Sequence, residues 1–295
     1  MKTLESKGFR PRHDLGQNFL IDLNLLQLVV SSAELEPRDV VLEVGAGTGG
    51  MTALLAEGAG RVVSVEIDPR VYGLALAATA KYTNLTLLNC DALRDKNHLR
   101  AEVLDAIRSG LSEIPDARLK LVANLPYCVA TPVVSNLFAE AFPLARMVIT
   151  IQYELAERMQ APPRSSAYSA LSVWLQSQAR VEILRKLGPT VFWPRPKVDS
   201  AIVLIEPDPA KRAALGDATF FHDFIRRLFL QRRKTLRPVL VGMYGDTLGK
   251  TGVDAVLEEF GCPDATRAEE LAPEDLIRLS RAVEAASVRL APPRP

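Results

Sequence analysis

Val40-Val-Leu-Glu-Val44, followed at once by Gly45-Ala-Gly47-Thr-Gly49-Gly50, is the stretch on which the fold turns. The apolar, β-branched run reads as a buried strand, and the glycines mark a sharp turn into a helix carried by Leu54 and Leu55. Glycine suits a place where the chain turns tightly and its backbone must come close to a ligand.

Outward from there the same unit repeats. Arg61-Val-Val-Ser-Val-Glu66 reads as a second strand, with a helix through Tyr72, Leu74 and Leu76. Leu85–Asn89, Leu119–Ala123 and Met147–Gln152 read as the third, fourth and fifth strands. Strands separated by helix-length segments predict crossover units and a largely parallel α/β sheet. Residues 94–117 read as a charged, helical insertion without chemistry of its own.

After Ala179 the rhythm changes. Arg180–Leu184 and Ser200–Ile205 flank a proline-rich loop too short for a helix, which predicts an antiparallel pair at the sheet edge. Glu206-Pro-Asp-Pro209 reads as a linker, and residues 219–289 show only helical periodicity. The expected domains are therefore 1–206 and an all-helical 207–295, with a disordered tail from Ala291.

The glycine loop and its acids suggest a nucleotide-type cofactor. Glu66, 21 residues beyond Gly45 and at the end of the second strand, can accept both ribose hydroxyls. Gly45-x-Gly47-x-x-Gly50 also satisfies the dinucleotide fingerprint, so NAD and S-adenosylmethionine both remain open at this point. Glu43 would oppose a pyrophosphate but can contact a cationic amino-acid moiety, directly or through water. Asp91, just after strand three, is placed to accept from an adenine amine. Both favour S-adenosylmethionine over NAD, and the alternative to a cofactor is a glycine-rich turn with ordinary surface acids.

Strand four ends in Asn124-Leu125-Pro126-Tyr127. An exocyclic adenine amine is a poor nucleophile because its lone pair is delocalised into the ring. Two acceptors, the Asn124 side-chain oxygen and the Leu125 carbonyl, can draw the nitrogen toward tetrahedral geometry. Pro126 stiffens the turn and Tyr127 offers a face for stacking a base that has left its helix or lies single-stranded. The tetrapeptide alone could be a structural turn; its place at a strand end makes a base-modifying methyltransferase the leading reading.

Five motifs then carry a resemblance. Leu15-Gly-Gln-Asn18-Phe-Leu20, Glu43–Gly49, Asn124–Tyr127, Phe192-Trp-Pro-Arg195-Pro-Lys197-Val-Asp-Ser200 and Gln231-Arg232-Arg233-Lys234-Thr-Leu-Arg237 occur in one order. The chain resembles, from about Arg10 to Ala285, the small-subunit ribosomal RNA adenine-N6 dimethyltransferases. The resemblance implies a Rossmann-like class I methyltransferase sheet that carries methyl groups from S-adenosylmethionine to two adjacent adenosines near the 3′ end of small-subunit rRNA, during subunit assembly. It further implies that Asn18 and Leu20 close over the cofactor, with Gly45 at its methionine end, Gly47 also binding it, Glu66 on the ribose, Asp91 on the adenine and Asn124 near both substrates. Phe192 would supply an aromatic wall opposite Tyr127. Cys128, Tyr153, Ser169 and Pro238 depart from the usual family residues. The rivals are the large-subunit adenine methyltransferases of macrolide resistance and a non-enzymatic transcription or assembly factor on the same fold. Intact Glu66, Asp91 and Asn124 argue against the second.

Composition agrees. The 295 residues are 48% hydrophobic and 24% charged, which excludes a disordered or collagen-like chain. Three scattered cysteines and three scattered histidines predict reduced thiols and no metal site. The charged Met1–Arg10 segment lacks the core of a signal peptide, and no run approaches the about 20 apolar residues of a membrane span. A cytoplasmic monomer is expected. The net charge of +1 conceals segregation: residues 185–237 carry 12 basic against 5 acidic side chains, and residues 246–295 carry 6 against 10. Arg195, Lys197, Arg232, Arg233, Lys234 and Arg237 are the expected RNA contacts, their charges orienting phosphates without reading sequence.

Overall fold

Strands covered on both faces need continuous Val, Ile and Leu, and the computed structural model gathers those runs into one seven-stranded sheet. It describes residues 11–12 and 15–290; the charged N-terminal segment, His13 and the tail from Ala291 lie outside them. The strands are β1 (Asp39–Val44), β2 (Arg61–Val65), β3 (Leu85–Leu88), β4 (Arg118–Asn124), β5 (Leu144–Gln152), β6 (Ala179–Leu187) and β7 (Ser200–Pro207). Their order is β3-β2-β1-β4-β5-β7-β6. β1 to β5 pair in parallel, and β7 pairs antiparallel with β5, Ser200 opposite Gln152.

Helices α2 (Gly50–Gly58), α3 (Pro69–Thr79), α4 (Ala101–Glu113) and α5 (Ala130–Ala139) make the crossovers, after α1 (Leu23–Ser32). Asp22 caps α1, accepting from the Asn24 and Leu25 amides. At the other end of α1, the buried Lys120 ammonium donates to the Ala33 and Glu34 carbonyls and pairs with buried Asp39 at 2.7 Å. Asp39 also accepts from the Arg118 guanidinium at 2.9 Å, so it stays paired without Lys120, whereas removing Asp39 would leave the buried ammonium with main-chain carbonyls alone. The insertion is helical only from Ala101; before it, Leu93–Asp95 and His98–Leu99 form a small antiparallel hairpin.

The chain divides into two compact units, one running to Ala156 and including Val181–Glu206, the other formed by Glu157–Arg180 and the chain from Pro207. The last of the three crossings falls after Glu206, and residues 157–180 cluster with the helical unit. Two aromatic side chains explain this. Trp174, buried on α7 (Ala170–Gln176), lies 4.3 Å ring to ring from His222 on α9 (Ala218–Phe229), and buried Tyr168 donates its hydroxyl to the Leu271 carbonyl. α6 (Tyr153–Gln160) precedes α7, α8 (Pro209–Ala214) precedes α9, and α10 (Leu236–Phe260), interrupted at Gly249, and α11 (Pro273–Leu290) follow.

The expected linker is a single residue. β7 ends at Pro207, Asp208 caps α8, and Pro209 takes its first position, where no amide hydrogen is needed. Pro238 is tolerated for the same reason, sitting in the first turn of α10. Among the described residues no helix is long and apolar enough to cross a membrane.

Candidate active site

The strand order reverses between β1 and β4, and the loops at their carboxyl ends therefore diverge and leave a crevice. The glycine loop, the acidic loop after β2, the turn after β3 and the Asn124 loop all meet there, around a pocket of about 220 Å³. A strap, Leu15–Phe19, lines the same pocket.

The glycine loop is held from below by the Gly45 and Ala46 amides donating to the Val65 carbonyl, at 2.8 and 3.1 Å. Gly47, with φ +57°, would place a Cβ 3.3 Å from the Phe19 ring, so a side chain here would push on the strap. Gly49, with φ +83°, would place one 3.1 Å from the Ala75 backbone and keep α3 from α2. The first glycine serves the pocket and the second the packing of helices.

Glu66 ties two loops together. Its Oε2 accepts from the Gly47 amide at 3.0 Å and its Oε1 from the Asp68 amide at 2.9 Å, leaving each oxygen a second lone pair. Burial raises its pKa, and those amide bonds oppose the rise. Asp68, held down to about 2 chiefly by the Arg70 guanidinium, also accepts from Gln17 Nε2 at 3.1 Å. Asp91 accepts from the Leu93 amide at 2.9 Å, and its own carbonyl takes Arg100 Nε at 2.9 Å. Gln17 and Arg100 escaped the sequence reading because a strap-to-loop bond and a second support behind a carboxylate have no local pattern.

Glu43 lies deeper than expected. It has no exposed surface; Thr52 and Ser64 hydroxyls both donate to its Oε2 at 2.6 Å, and its Oε1 has no partner among the described residues. Burial pushes its carboxyl up to about 8. It backs a recess of about 60 Å³ that also reaches Gly45, Gly47, Met51 and Asn124. A buried, orphaned acceptor beside a glycine cradle fits the ammonium of a methionine moiety, and Glu66 and Asp91 fit the adenosine end; the donor set suits S-adenosylmethionine.

Asn124 Nδ2 donates to the Asn18 carbonyl at 2.8 Å, which commits the amide's donor end and leaves Oδ1 as its available acceptor. The Leu125 amide bonds to the Thr150 carbonyl at 3.1 Å, while no described N–H donates to the Leu125 carbonyl. The Tyr127 hydroxyl sits 2.6 Å from Ser200 Oγ, which fixes the ring beside the pocket. Cys128 is exposed at the pocket edge.

Phe192 is a correction. It is 1% exposed and belongs to the hydrophobic core with Leu25, Leu26 and Val29, so it offers no face opposite Tyr127. The reason is strand alternation. Phe19–Leu20 pairs antiparallel with Phe192–Trp193, Leu20 opposite Phe192, so those two turn inward together. Phe19 and Trp193 face the other way and stack with centroids 6.2 Å apart. Leu20 accordingly reaches the recess by Glu43 and not the main pocket, while Asn18 lines the main pocket as expected.

The expected RNA contacts divide. Arg195, Lys197, Arg233 and Lys234 are exposed, with no ion-pair partner among the described residues. Arg232 instead donates to the Tyr168 and Ser166 carbonyls and pairs with Glu269 at 3.4 Å. Arg237 forks onto Asp254 at 2.6 and 2.9 Å. Their side chains hold the helical unit together. Among the described residues no group of three or more His, Cys, Asp or Glu could hold a metal ion.

The family model for ribosomal RNA adenine dimethylases matches residues 8–284. A ribosomal RNA small subunit methyltransferase A from Bacillus mycoides is 36% identical over 281 residues, covering 95% of this chain and 94% of the relative. Among solved structures, a dimethyladenosine transferase from Plasmodium falciparum superposes with a TM-score of 0.74 at 24% identity, over 88% of this chain and 95% of that one. The 23S rRNA methyltransferase ErmE gives 0.63 at 24% identity, over 90% and 99%. The two structures speak to the fold alone.

Proposed function

The chain belongs to the ribosomal RNA adenine dimethylase family, and we propose that it moves methyl groups from S-adenosylmethionine to the N6 amines of two adjacent adenosines near the 3′ end of small-subunit rRNA, acting as a cytoplasmic monomer on a pre-formed subunit. The observation that carries this reading is the Asn124 amide, whose donor end is committed to Asn18 and whose oxygen remains as an acceptor at the pocket.

S-adenosylmethionine supplies an electrophilic methyl group on a sulfonium. The chain supplies the rest. Glu66 and Asp91 hold the adenosine end, Glu43 and the glycine loop the methionine end, and the strap covers both. An adenine extruded from its helix stacks on Tyr127, whose ring is braced by Ser200. Its two N6 hydrogens would be donated in hydrogen bonds to Asn124 Oδ1 and the Leu125 carbonyl, and as the nitrogen–methyl bond forms and the carbon–sulfur bond breaks, the amine would shed one proton to solvent. Those acceptors turn the nitrogen lone pair toward the methyl group. They also stabilise the positive charge the amine gains as the bond forms, with no strong base required. Arg195 and Lys197 on the first unit, and Arg233 and Lys234 on the helical unit, take up phosphates.

The test is direct. Undermethylated small subunits given methyl-labelled S-adenosylmethionine and this protein should yield labelled N6,N6-dimethyladenosine on nuclease digestion. Label in large-subunit RNA instead would move the assignment to the macrolide-resistance type. Unlabelled adenosines beside a protein that binds the cofactor would overturn it.

A further inference from the structure

The insertion between β3 and β4 reads from sequence as having no chemistry of its own, yet it opens by turning back on the pocket. Leu93 and Leu99 pair across its hairpin and are both buried. His98–Leu99 lies against α5, the helix that leads out of the Asn124 loop. The turn is fixed by Asp95, which accepts from the Asn97 amide at 2.8 Å and bonds the His98 ring. The chain is thereby returned, at Arg100, to the loop it left at Asp91.

Arg100 meets that loop twice. Its amide donates to the Ala92 carbonyl at 3.0 Å, and its Nε donates to the Asp91 carbonyl at 2.9 Å. Its own carbonyl takes the Val103 and Leu104 amides and so starts α4. Of these bonds only the Nε one needs the side chain. Glu102, largely exposed and 4.0 Å from the same Nε, competes weakly for it. Between the two Arg100 bonds, the Leu93 amide holds Asp91 Oδ1 at 2.9 Å. Asp91 Oδ2 takes no hydrogen bond among the described residues, and Asp91 lines the pocket. One carboxylate oxygen is fixed, and the other is left for the base.

We propose that Arg100 is a positioning residue which, by holding Asp91 in place, makes the cofactor site select a 6-aminopurine over a 6-oxopurine. This role rests on the reading of Asp91 as the adenine acceptor and adds what keeps that acceptor still. A 6-aminopurine offers N–H donors where a 6-oxopurine has an oxygen, and the 6-oxopurine carries a hydrogen on the adjoining N1. A carboxylate held at one spot repels that oxygen. A carboxylate free to slide by one ring atom would find the N1 hydrogen and accept it. Selectivity therefore needs a rigid loop as well as an acid, since rejection of the wrong base depends on leaving it no partner.

Calorimetric binding of S-adenosylhomocysteine and of S-inosylhomocysteine, its 6-oxo counterpart, to the full-length protein tests this without turnover. The wild type should prefer the adenosine form by about a hundredfold or more. Arg100→Ala should cut that preference about tenfold, the scale of one lost hydrogen bond beside a charged group. Its main-chain bonds remain, so the hairpin and the start of α4 are kept. Arg100→Gln should hold the preference within about twofold, because glutamine Nε2 is a donor standing as many bonds from the main chain as arginine Nε. An equal loss of affinity for both ligands in Arg100→Ala, an unchanged preference there, or a preference lost in Arg100→Gln would overturn the role. Asp91→Asn tests the underlying reading by itself. The Leu93 amide would keep the asparagine oxygen and leave its N–H groups toward the base, so this variant should favour the 6-oxo form. Wild-type preference retained in Asp91→Asn would refute Asp91 as the adenine acceptor. A preference reversed there but unchanged in Arg100→Ala would refute Arg100 alone.

Discussion

Asn124 and Asn18, 106 residues apart, are joined by a 2.8 Å hydrogen bond from the side-chain amide of the first to the main-chain carbonyl of the second. The residue proposed to face the target amine is thus oriented by the strap that lines the pocket. A strap out of place would free the amide to rotate.

Asn124→Ala should lower kcat by about a hundredfold or more, the scale of losing one preorganised polar group from a reacting centre. Affinity for S-adenosylmethionine should change far less. Asn124→Asp should not rescue, since a carboxylate has no hydrogen for the Asn18 carbonyl. Single-turnover methylation with independent cofactor titration checks both, and full activity in either variant would refute the role.

Gln17 is the second fastening of the strap, donating to Asp68 at 3.1 Å and accepting from the Arg12 amide at 2.8 Å. Losing a bond to an ionised carboxylate costs about 1.5–3 kcal/mol at most in a buried setting and less near solvent. Gln17→Ala should therefore weaken cofactor binding several-fold and leave kcat at saturation nearly intact. Calorimetric titration would show it; an unchanged Kd would mean that the strap holds without this bond.

These two bonds also show what the sequence could convey. The Val40–Val44 strand, the glycine turn and the acids at strand ends are local patterns, with one residue type needed at one place, and the sheet follows from them. Phe192 shows the limit. Its motif marks the site, but whether its ring faces cofactor or core depends on its pairing with Leu20, 172 positions earlier in the chain. A shift of one residue in that pairing would exchange Phe192 with Trp193. The run Arg232-Arg233-Lys234 likewise reads as one basic patch, yet Arg232 faces inward because two carbonyls near Tyr168 await it.

Arg232→Ala should destabilise the helical unit by about 2 kcal/mol or more, since charge-assisted bonds to two carbonyls and a partly buried ion pair are lost together. Lysine should restore little of this, lacking the planar fork that reaches both carbonyls. Arg233→Ala, one position on, should leave Tm unchanged. Thermal unfolding of the three variants separates a clamp from a phosphate contact; equal Tm values for Arg232→Ala and Arg233→Ala would dissolve the distinction.

Glu43 gives the chain a pH signature. Burial lifts its carboxyl from 4.5 to about 8, so the folded protein holds a proton that the unfolded chain has lost. Stability from this group is full below about 4.5 and declines as pH rises to about 8. Glu43→Gln keeps the neutral form, so the Tm advantage of the wild type over the variant should shrink steadily across that window. Cofactor binding reverses the preference. The nearby groups are the Thr52 and Ser64 hydroxyls and the Glu66 carboxylate, and none of them is a cation. An arriving ammonium would therefore be the first positive charge beside Glu43 and should ionise it. Binding of S-adenosylhomocysteine, which carries the same ammonium, should release a proton near neutral pH and tighten as pH rises toward about 8. Binding enthalpies measured in buffers of different ionisation heat would count that proton. The count should vanish in Glu43→Gln, and equal release by both proteins would place the ammonium elsewhere.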